Sequence, residues 1–232
     1  MSERGEQGAY WRRYFDDAAA ADVADHERVG YTSGAFAQMT YATVRRLLGP
    51  MRGRLVLDAG CGDGQVLAPL AAANVLVGMD FSPAMAGRAG GRGLVPVCGD
   101  LTRLPFRPAA FDDVVCAESL QCLTSPADGV IALAALVRPG GRLLVSGLNR
   151  RSVLRHLART YGKLTGRVEP VLMDAARLTA ILGEAGFDVE PVVWVGYVPA
   201  FVAQPRSRLL RALLGWPATN FILIARRLGG DA

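Results

Sequence analysis

The stretch Leu55–Gly64, L-V-L-D-A-G-C-G-D-G, decides how the whole chain is read. Leu55, Val56 and Leu57 form an apolar run that ends in Asp58, after which glycine stands at alternate positions, Gly60, Gly62 and Gly64. A short apolar run closed by glycines reads as a buried parallel strand, and the residues from Asp63 onward read as a helix start. Glycine at such a turn lets backbone approach a ligand and adopt positive φ without a Cβ clash. A dinucleotide site uses the same device, but its G-x-G-x-x-G pattern needs a third glycine where Gln65 stands. Asp58 separates the two further. A carboxylate at the mouth of the loop repels a pyrophosphate and attracts a ligand bearing an ammonium group.

One strand onward, the apolar run Val75–Met79 ends at Asp80. An acid about 20 residues after the glycine loop is placed to grip a ribose diol. Taken alone, Asp80 also suits the approach to a helix opening at Ser82-Pro83, but Asp58 and the upstream glycines favour the ribose role. An ammonium, a ribose and no phosphate together describe S-adenosylmethionine.

Five stretches then follow in register: V-L-D-A-G-C-G-D-G, G-M-D-F-S-P-A-M, C-G-D-L-T-R-L-P-F, F-D-D-V-V-C-A-E-S-L-Q and L-V-R-P-G-G-R-L-L-V-S. In order and spacing they resemble the motifs of class I S-adenosylmethionine-dependent methyltransferases. The type is the small-molecule one with a ubiquinone-biosynthesis-like core, and the resemblance covers residues 53–148. It implies an α/β fold, Rossmann-like and doubly wound, with a mostly parallel seven-stranded sheet whose last strand is antiparallel. N-terminal helices and helical cap insertions would complete it. The implied cofactor is S-adenosylmethionine, with S-adenosylhomocysteine as product. The implied binding set is Asp58, Gly60, Cys61, Gly62, Asp80, Phe81, Met85, Asp100, Leu101 and Glu118. In the family's manner, Gly60 and Gly62 admit the methionine moiety, and Asp58 serves its amino group directly or through water. Asp80 takes the ribose hydroxyls and Phe81 lies against the adenine. Asp100 and Leu101 meet the adenine edge, and Glu118 faces the methyl-transfer region.

Length and composition suit one large domain or one core plus additions, and the resemblance implies a single methyltransferase domain over residues 1–232. The 51% hydrophobic content is ample for a core, and 20% charged residues with no low-complexity tract argue against extensive disorder. The net charge of +5 is almost wholly arginine, since Lys163 is the only lysine. No apolar run approaches the roughly 18 residues of a spanning helix, and M-S-E-R-G-E-Q-G is no signal peptide. Cys61, Cys98, Cys116 and Cys122 form no C-x-x-C pair. Metal binding is therefore not expected, and a reducing, cytoplasmic setting fits.

Alternation continues along the chain, with strands expected at 54–59, 75–80, 94–98, 112–117 and 141–147 and helices at 63–72, 82–90 and 126–137. A helix at Asp174–Ala185 and strands at Val189–Val195 and Asn220–Ala225 would close the sheet. Asp58, Asp80, Asp100 and Glu118 then share its carboxyl edge, where ligands of such sheets bind. Residues 9–50 form an N-terminal helical segment ahead of the 53–148 core. In the resembled family such helices cover the methionine end of the cofactor. Two further segments, 149–173 and 197–217, read as helical caps. In the first, Leu154, Leu157, Tyr161 and Leu164 oppose Arg150, Arg151, Arg155, Arg159, Lys163 and Arg167. In the second, Arg206, Arg208 and Arg211 accompany Leu209, Leu210, Leu213, Leu214 and Trp216. Each is either ordinary packing with a solvated face or a cap attracting an acidic or lipid-like substrate or an anionic membrane. Nucleic acid is not expected, for want of a binding module.

Candidates for a general base are few: His26, Tyr31 and Tyr197, all in segments that flank the core, with His156 an unfavoured fourth. Methyl transfer from a sulfonium is governed by alignment and water exclusion, so a base is not obligatory. The expected function is methyl transfer to a small-molecule acceptor. The alternative is a protein that binds the cofactor without methyl transfer, as a partner subunit or to another end.

Overall fold

An apolar run of five or six residues leaves a strand no solvent face, and such strands belong at the centre of a sheet. Leu55–Ala59 (β1) and Phe111–Cys116 (β4) pair there, in a computed structural model that describes residues 3–31, 33–164, 168–196 and 218–229. Val75–Asp80 (β2) and Val95–Cys98 (β3) extend the parallel sheet beyond β1, and Val137–Leu148 (β5) adds to the far side of β4. Asn220–Arg227 (β8) enters antiparallel beside β5. Phe187–Val189 (β6) and Val193–Val195 (β7) both pair with β8, and the strand order is β3-β2-β1-β4-β5-β8-β6.

Side chains alternate across the strands and so face two cores. Val114, Leu143 and Leu223 meet Val130 and Leu133 of α5 (Pro126–Leu136) and Leu178 and Leu182 of α7 (Ala175–Glu184). Their neighbours Val115, Leu144 and Ile222 meet Ala37, Tyr41, Val44 and Leu48 of α3 (Gly34–Leu48). Polar caps set the helix starts: Ser82 Oγ accepts from Met85 N at 3.2 Å to open α4 (Pro83–Gly90), and Asp174 Oδ1 accepts from Ala176 N at 3.0 Å to open α7. Ahead of the core lie α1 (Glu3–Ala20) and the single turn α2 (Asp25–Arg28).

The structure departs from the sequence reading in three places. Residues 63–72 form no α-helix; turns lead into a 3-10 segment at Ala68–Ala73. Gly64 at φ +83° and Pro69, which has no N–H to give, break the α ladder there. The strand expected at Val189–Val195 is cut in two, because Pro191 cannot donate to β8. The third is α6 (Val153–Leu164), whose apolar face was expected to pack inward. Val153, Leu154 and Leu157 face solvent, at 53%, 41% and 62% exposure, while Arg155 turns inward and donates to Asn220 Oδ1 at 2.7 Å. The side chains of Arg159, Tyr161, Lys163 and Leu164, residue Arg167 and the second cap at 197–217 lie outside the described residues.

One cluster fixes the amino edge of the sheet. Asp113, with no exposed surface, takes Arg54 Nη2 at 3.0 Å and Arg142 Nε at 2.6 Å, with Arg54 Nε also bonded to it. Arg142 Nη1 reaches on to Leu48 O at 2.6 Å and ties α3 to the sheet. Burial alone would raise the Asp113 carboxyl, but the bonds from Arg142 and Arg54 outweigh it and hold it below the usual range. Such a lowered value stabilises the fold above the ordinary carboxylate pKa and is lost as pH falls through it. Asp113→Asn is therefore expected to cost about 3–5 kcal/mol in a urea titration at pH 7, as when one partner of a buried ion pair is removed. Repeating the titration at about pH 2.5, below the ordinary carboxylate pKa of about 3.9, should show the gap between wild type and variant narrowing; a constant gap would count against this role.

Candidate active site

A cavity of about 600 Å³ opens at the carboxyl ends of β1, β2, β3 and β4. Each strand delivers residues to its wall: Gly60–Gly62 after β1, Asp80 and Phe81 at β2, Asp100 and Leu101 after β3, Glu118 and Ser119 after β4. The N-terminal segment closes it with Trp11 and Phe15 from α1, Tyr31 and Tyr41. The volume lies within the range of small-molecule and cofactor sites.

The glycine loop is built by backbone contacts. Gly60 has φ +75°, and a Cβ there would stand 2.3 Å from Ser119 Oγ, so no larger residue fits. Gly62, at φ +53°, donates its N–H to Asp80 Oδ2 at 2.8 Å, and Ser82 N donates to Asp80 Oδ1 at 2.9 Å. Asp80 thus pins the loop to β2 while keeping free lone pairs toward the cavity, since a carboxylate offers about four. No α-helix starts behind this loop, so the helix N-terminus that favours a phosphate in dinucleotide folds is missing there.

Charge on the wall is one-sided. Asp63, Asp80, Asp100, Glu118 and Asp128 line the cavity, and among the described lining residues there is no lysine, arginine or histidine. Asp63 is partnered by Arg92 at 3.3 Å, outside the wall. Asp58 lies just behind the lining, 1% exposed, and its Oδ2 has no hydrogen-bond partner. Burial, with Asp80 and Asp63 close by, pushes the Asp58 carboxyl up to about 7. Burial also raises Asp80, against the N–H bonds from Ser82, Gly62 and Phe81 that favour its charge.

Of the residues expected at the cofactor, Gly60, Cys61, Gly62, Asp80, Phe81, Asp100, Leu101 and Glu118 line the cavity together. Met85 does not. It is fully buried in the first turn of α4, where the cap at Ser82 directs its side chain into packing. His26 is also displaced from the site: it sits in α2 with Nδ1 3.3 Å from where a Cβ on Gly34 would stand, outside the lining. Tyr31 does line the cavity, but burial, with Glu118 and Tyr41 nearby, drives its phenol pKa far up and keeps it neutral. Tyr197 lies outside the described residues. No described residue of α6 lines the cavity.

Sequence reasoning missed the partners of Glu118. Ser146 Oγ donates to its Oε1 at 3.0 Å, and Asn220 Nδ2 donates to its Oε2 at 2.8 Å. The available signal was a polar residue interrupting each of two otherwise apolar strands, R-L-L-V-S-G-L and N-F-I-L-I-A. Gln7 was missed as well; its Nε2 donates to Cys122 O at 3.2 Å from the far side of the cavity.

Comparison with known proteins agrees with this geometry. The family described as a methyltransferase domain matches residues 57–145. A malonyl-[acyl-carrier protein] O-methyltransferase of Herminiimonas arsenicoxydans is 36% identical over 158 residues, which are 66% of this chain and 60% of that protein. A ubiquinone biosynthesis O-methyltransferase of Xylella fastidiosa (strain 9a5c) is 34% identical over 167 residues, 65% of this chain and 67% of that one. This chain belongs to the class I S-adenosylmethionine-dependent methyltransferases. The methyltransferase also shares its fold with the magnesium protoporphyrin IX methyltransferase of Synechocystis PCC 6803, solved with bound S-adenosylhomocysteine. That superposition has a TM-score of 0.67 at 23% identity and covers 95% of this chain and 99% of the other.

The site fits the family's cofactor. A buried carboxylate with an unpartnered oxygen behind a glycine loop, and acids without a basic side chain among the described lining residues, suit a ligand with an ammonium and a sulfonium. Because Asp58 keeps its proton to about pH 7, an ammonium can pair with it only after ionisation. Affinity for S-adenosylhomocysteine should therefore strengthen as pH rises from 5.5 to 7, by up to about tenfold per unit, and level off above. The folded, ligand-free methyltransferase binds a proton in the window from the ordinary carboxylate pKa to about 7 that the unfolded chain has released. Its own stability should fall across that window as pH rises. Calorimetry in two buffers of different ionisation enthalpy measures the proton released on binding; a pH-independent affinity with no proton release would remove Asp58 from this role.

Proposed function

We propose that this methyltransferase moves the methyl group of S-adenosylmethionine to a small-molecule acceptor in biosynthesis or modification. The observation that carries the reading is the cavity at the carboxyl edge of the sheet, whose described lining residues include five acids and no lysine, arginine or histidine. The names of the relatives, which refer to ubiquinone biosynthesis and to malonyl-[acyl-carrier protein], support a biosynthetic acceptor. In this reading the chain acts as one domain, supported by the continuous sheet from residue 55 to 227.

The bound cofactor supplies a methyl group already activated by its sulfonium. The protein's part is to hold, orient and keep dry. Gly60 and Gly62 bring loop backbone against the methionine end, with Asp58 behind them for the amino group. Asp80 takes the ribose hydroxyls with the lone pairs left by Gly62 and Ser82. Phe81, backed by the Arg12 guanidinium 4.1 Å from its ring centroid, flanks the adenine, whose edge meets Asp100 and Leu101. Trp11, Phe15 and Tyr31 exclude water above. No base is assigned, since Tyr31 stays protonated and His26 stands away from the cavity. Intact glycines and acids speak against a binding protein without methyl transfer.

Peripheral contact with an anionic membrane belongs to the same reading. It is supported by the exposed Val153, Leu154 and Leu157 of α6, with the exposed Arg150 and Arg151 just before them. No helix among the described residues is long and apolar enough to cross a membrane. Cytoplasmic residence is supported by four free cysteines.

Two measurements test these assignments. Asp80→Ala removes charge-assisted bonds worth about 1.5–3 kcal/mol each and also frees the glycine loop, so S-adenosylmethionine should bind at least about tenfold more weakly. NAD should give no heat with wild type, and an unchanged affinity in the variant would take Asp80 out of the site. For the membrane, wild type should co-float with vesicles containing phosphatidylglycerol, less so as salt screens the arginines, and hardly with neutral phosphatidylcholine. Leu154→Ser with Leu157→Ser should abolish flotation; equal recovery of both proteins would leave α6 as plain surface.

A further inference from the structure

Glu118 holds a backbone conformation that a side-chain-bearing residue adopts only under constraint: its φ is +56°. The constraint is in view. Glu118 N donates to Ser146 Oγ at 2.9 Å, and the same hydroxyl donates back to Oε1 at 3.0 Å. Oε2 accepts from Asn220 Nδ2 at 2.8 Å, and Asn220 Oδ1 accepts from Arg155 Nη2 at 2.7 Å. The arginine polarises the asparagine amide and strengthens its hold on the carboxylate. Residues of β5, β8 and α6 thus converge on one side chain at the end of β4. This half-buried carboxylate belongs to the cavity wall, among Gly60, Tyr31 and Ser119.

The protein fills about two of the roughly four acceptor sites of the Glu118 carboxylate, and the others are available to a ligand. No cationic side chain among the described lining residues competes for them. A hydroxyl or an amine offers a hydrogen there; a carboxylate acceptor offers none and meets like charge. Resting on the methyltransferase reading, we propose that Glu118 is the acceptor-orienting carboxylate. It receives a hydrogen bond from the O–H or N–H group to be methylated, and the acceptor is neutral or cationic at its reacting end. Ser146, Asn220 and Arg155 are positioning residues that act through it.

The assignment can be tested without the acceptor. Sinefungin carries a primary amine on carbon where the cofactor has its methylated sulfur, so its ammonium stands in for a donor at the transfer position. Calorimetry of sinefungin and S-adenosylhomocysteine on wild type and Glu118→Gln gives four dissociation constants. Wild type should prefer sinefungin by about tenfold or more, the range of a charge-assisted bond, and the variant should lose most of that preference. The preference is a ratio of two constants within each protein, so any change in cofactor affinity common to both ligands cancels. Equal preferences in the two proteins would overturn the proposal. Should Glu118→Gln not fold, wild type decides alone, and a preference below about tenfold overturns it. If wild type binds neither ligand, the cofactor site itself is misassigned and the proposal falls with it; binding of both without preference sinks only the role of Glu118.

Discussion

A carboxylate shut away from water, Asp113, holds the sheet in register, and the site at the opposite edge follows from it. Its two arginines come from the entry to β1 and from β5, and one of them also grips the end of α3. Replacing a buried ion cluster by apolar side chains is often neutral in energy, so we read its value as specification of one pairing among several. A strand has a period of two, and a slip of one residue turns every side chain to the other face. With β1, β4 and β5 locked at their amino ends, Asp58 and Glu118 can emerge at only one height. The loop glycines and Asp80 join them there.

The two edges of the sheet treat acid in opposite ways. At the amino edge Asp112 and Asp113 are neutralised by Arg138, Arg54 and Arg142. At the carboxyl edge Asp58 and Asp80 are buried side by side without a guanidinium, and their proton affinity climbs. Among the described residues, arginine at this edge pairs with Asp63 or supports Glu118 from behind, and Asp58 and Asp80 are left to a cation from outside. Uncompensated buried charge is costly, and its presence in a cleft marks function more often than stability.

What was legible in the sequence was local. The glycine loop, the acids one strand apart and the alternation of strand with helix are patterns within a few residues. They placed eight of the ten expected cofactor residues on the cavity wall. Asp58 lies one layer behind, and Met85 failed because spacing from a motif does not say which way a helical side chain points. The helix expected at 63–72 failed because Gly64 and Pro69 override a stretch of good helix formers. In α6, amphipathicity established two faces but not which of them meets the protein; Arg155 found a buried amide and the leucines were left outside. The grip on Glu118 joins residues 28 and 102 positions away, and no local pattern announces it.

The attachment of α1 carries a kinetic consequence. That helix covers the cavity, yet among the described residues its polar ties are few: Gln7 to Cys122 O, Asp16 to Ser82 Oγ, and Arg88 to Ala19 O. Two of the three anchor points, Cys122 and Ser82, belong to or adjoin loops bounding the cavity, and Trp11 and Phe15 press on its contents. The helix walls one side of a cavity that is otherwise partly open to solvent. Letting go of one such helix is a local opening far cheaper than global unfolding, so this side of the cavity can open and close faster than the sheet unfolds.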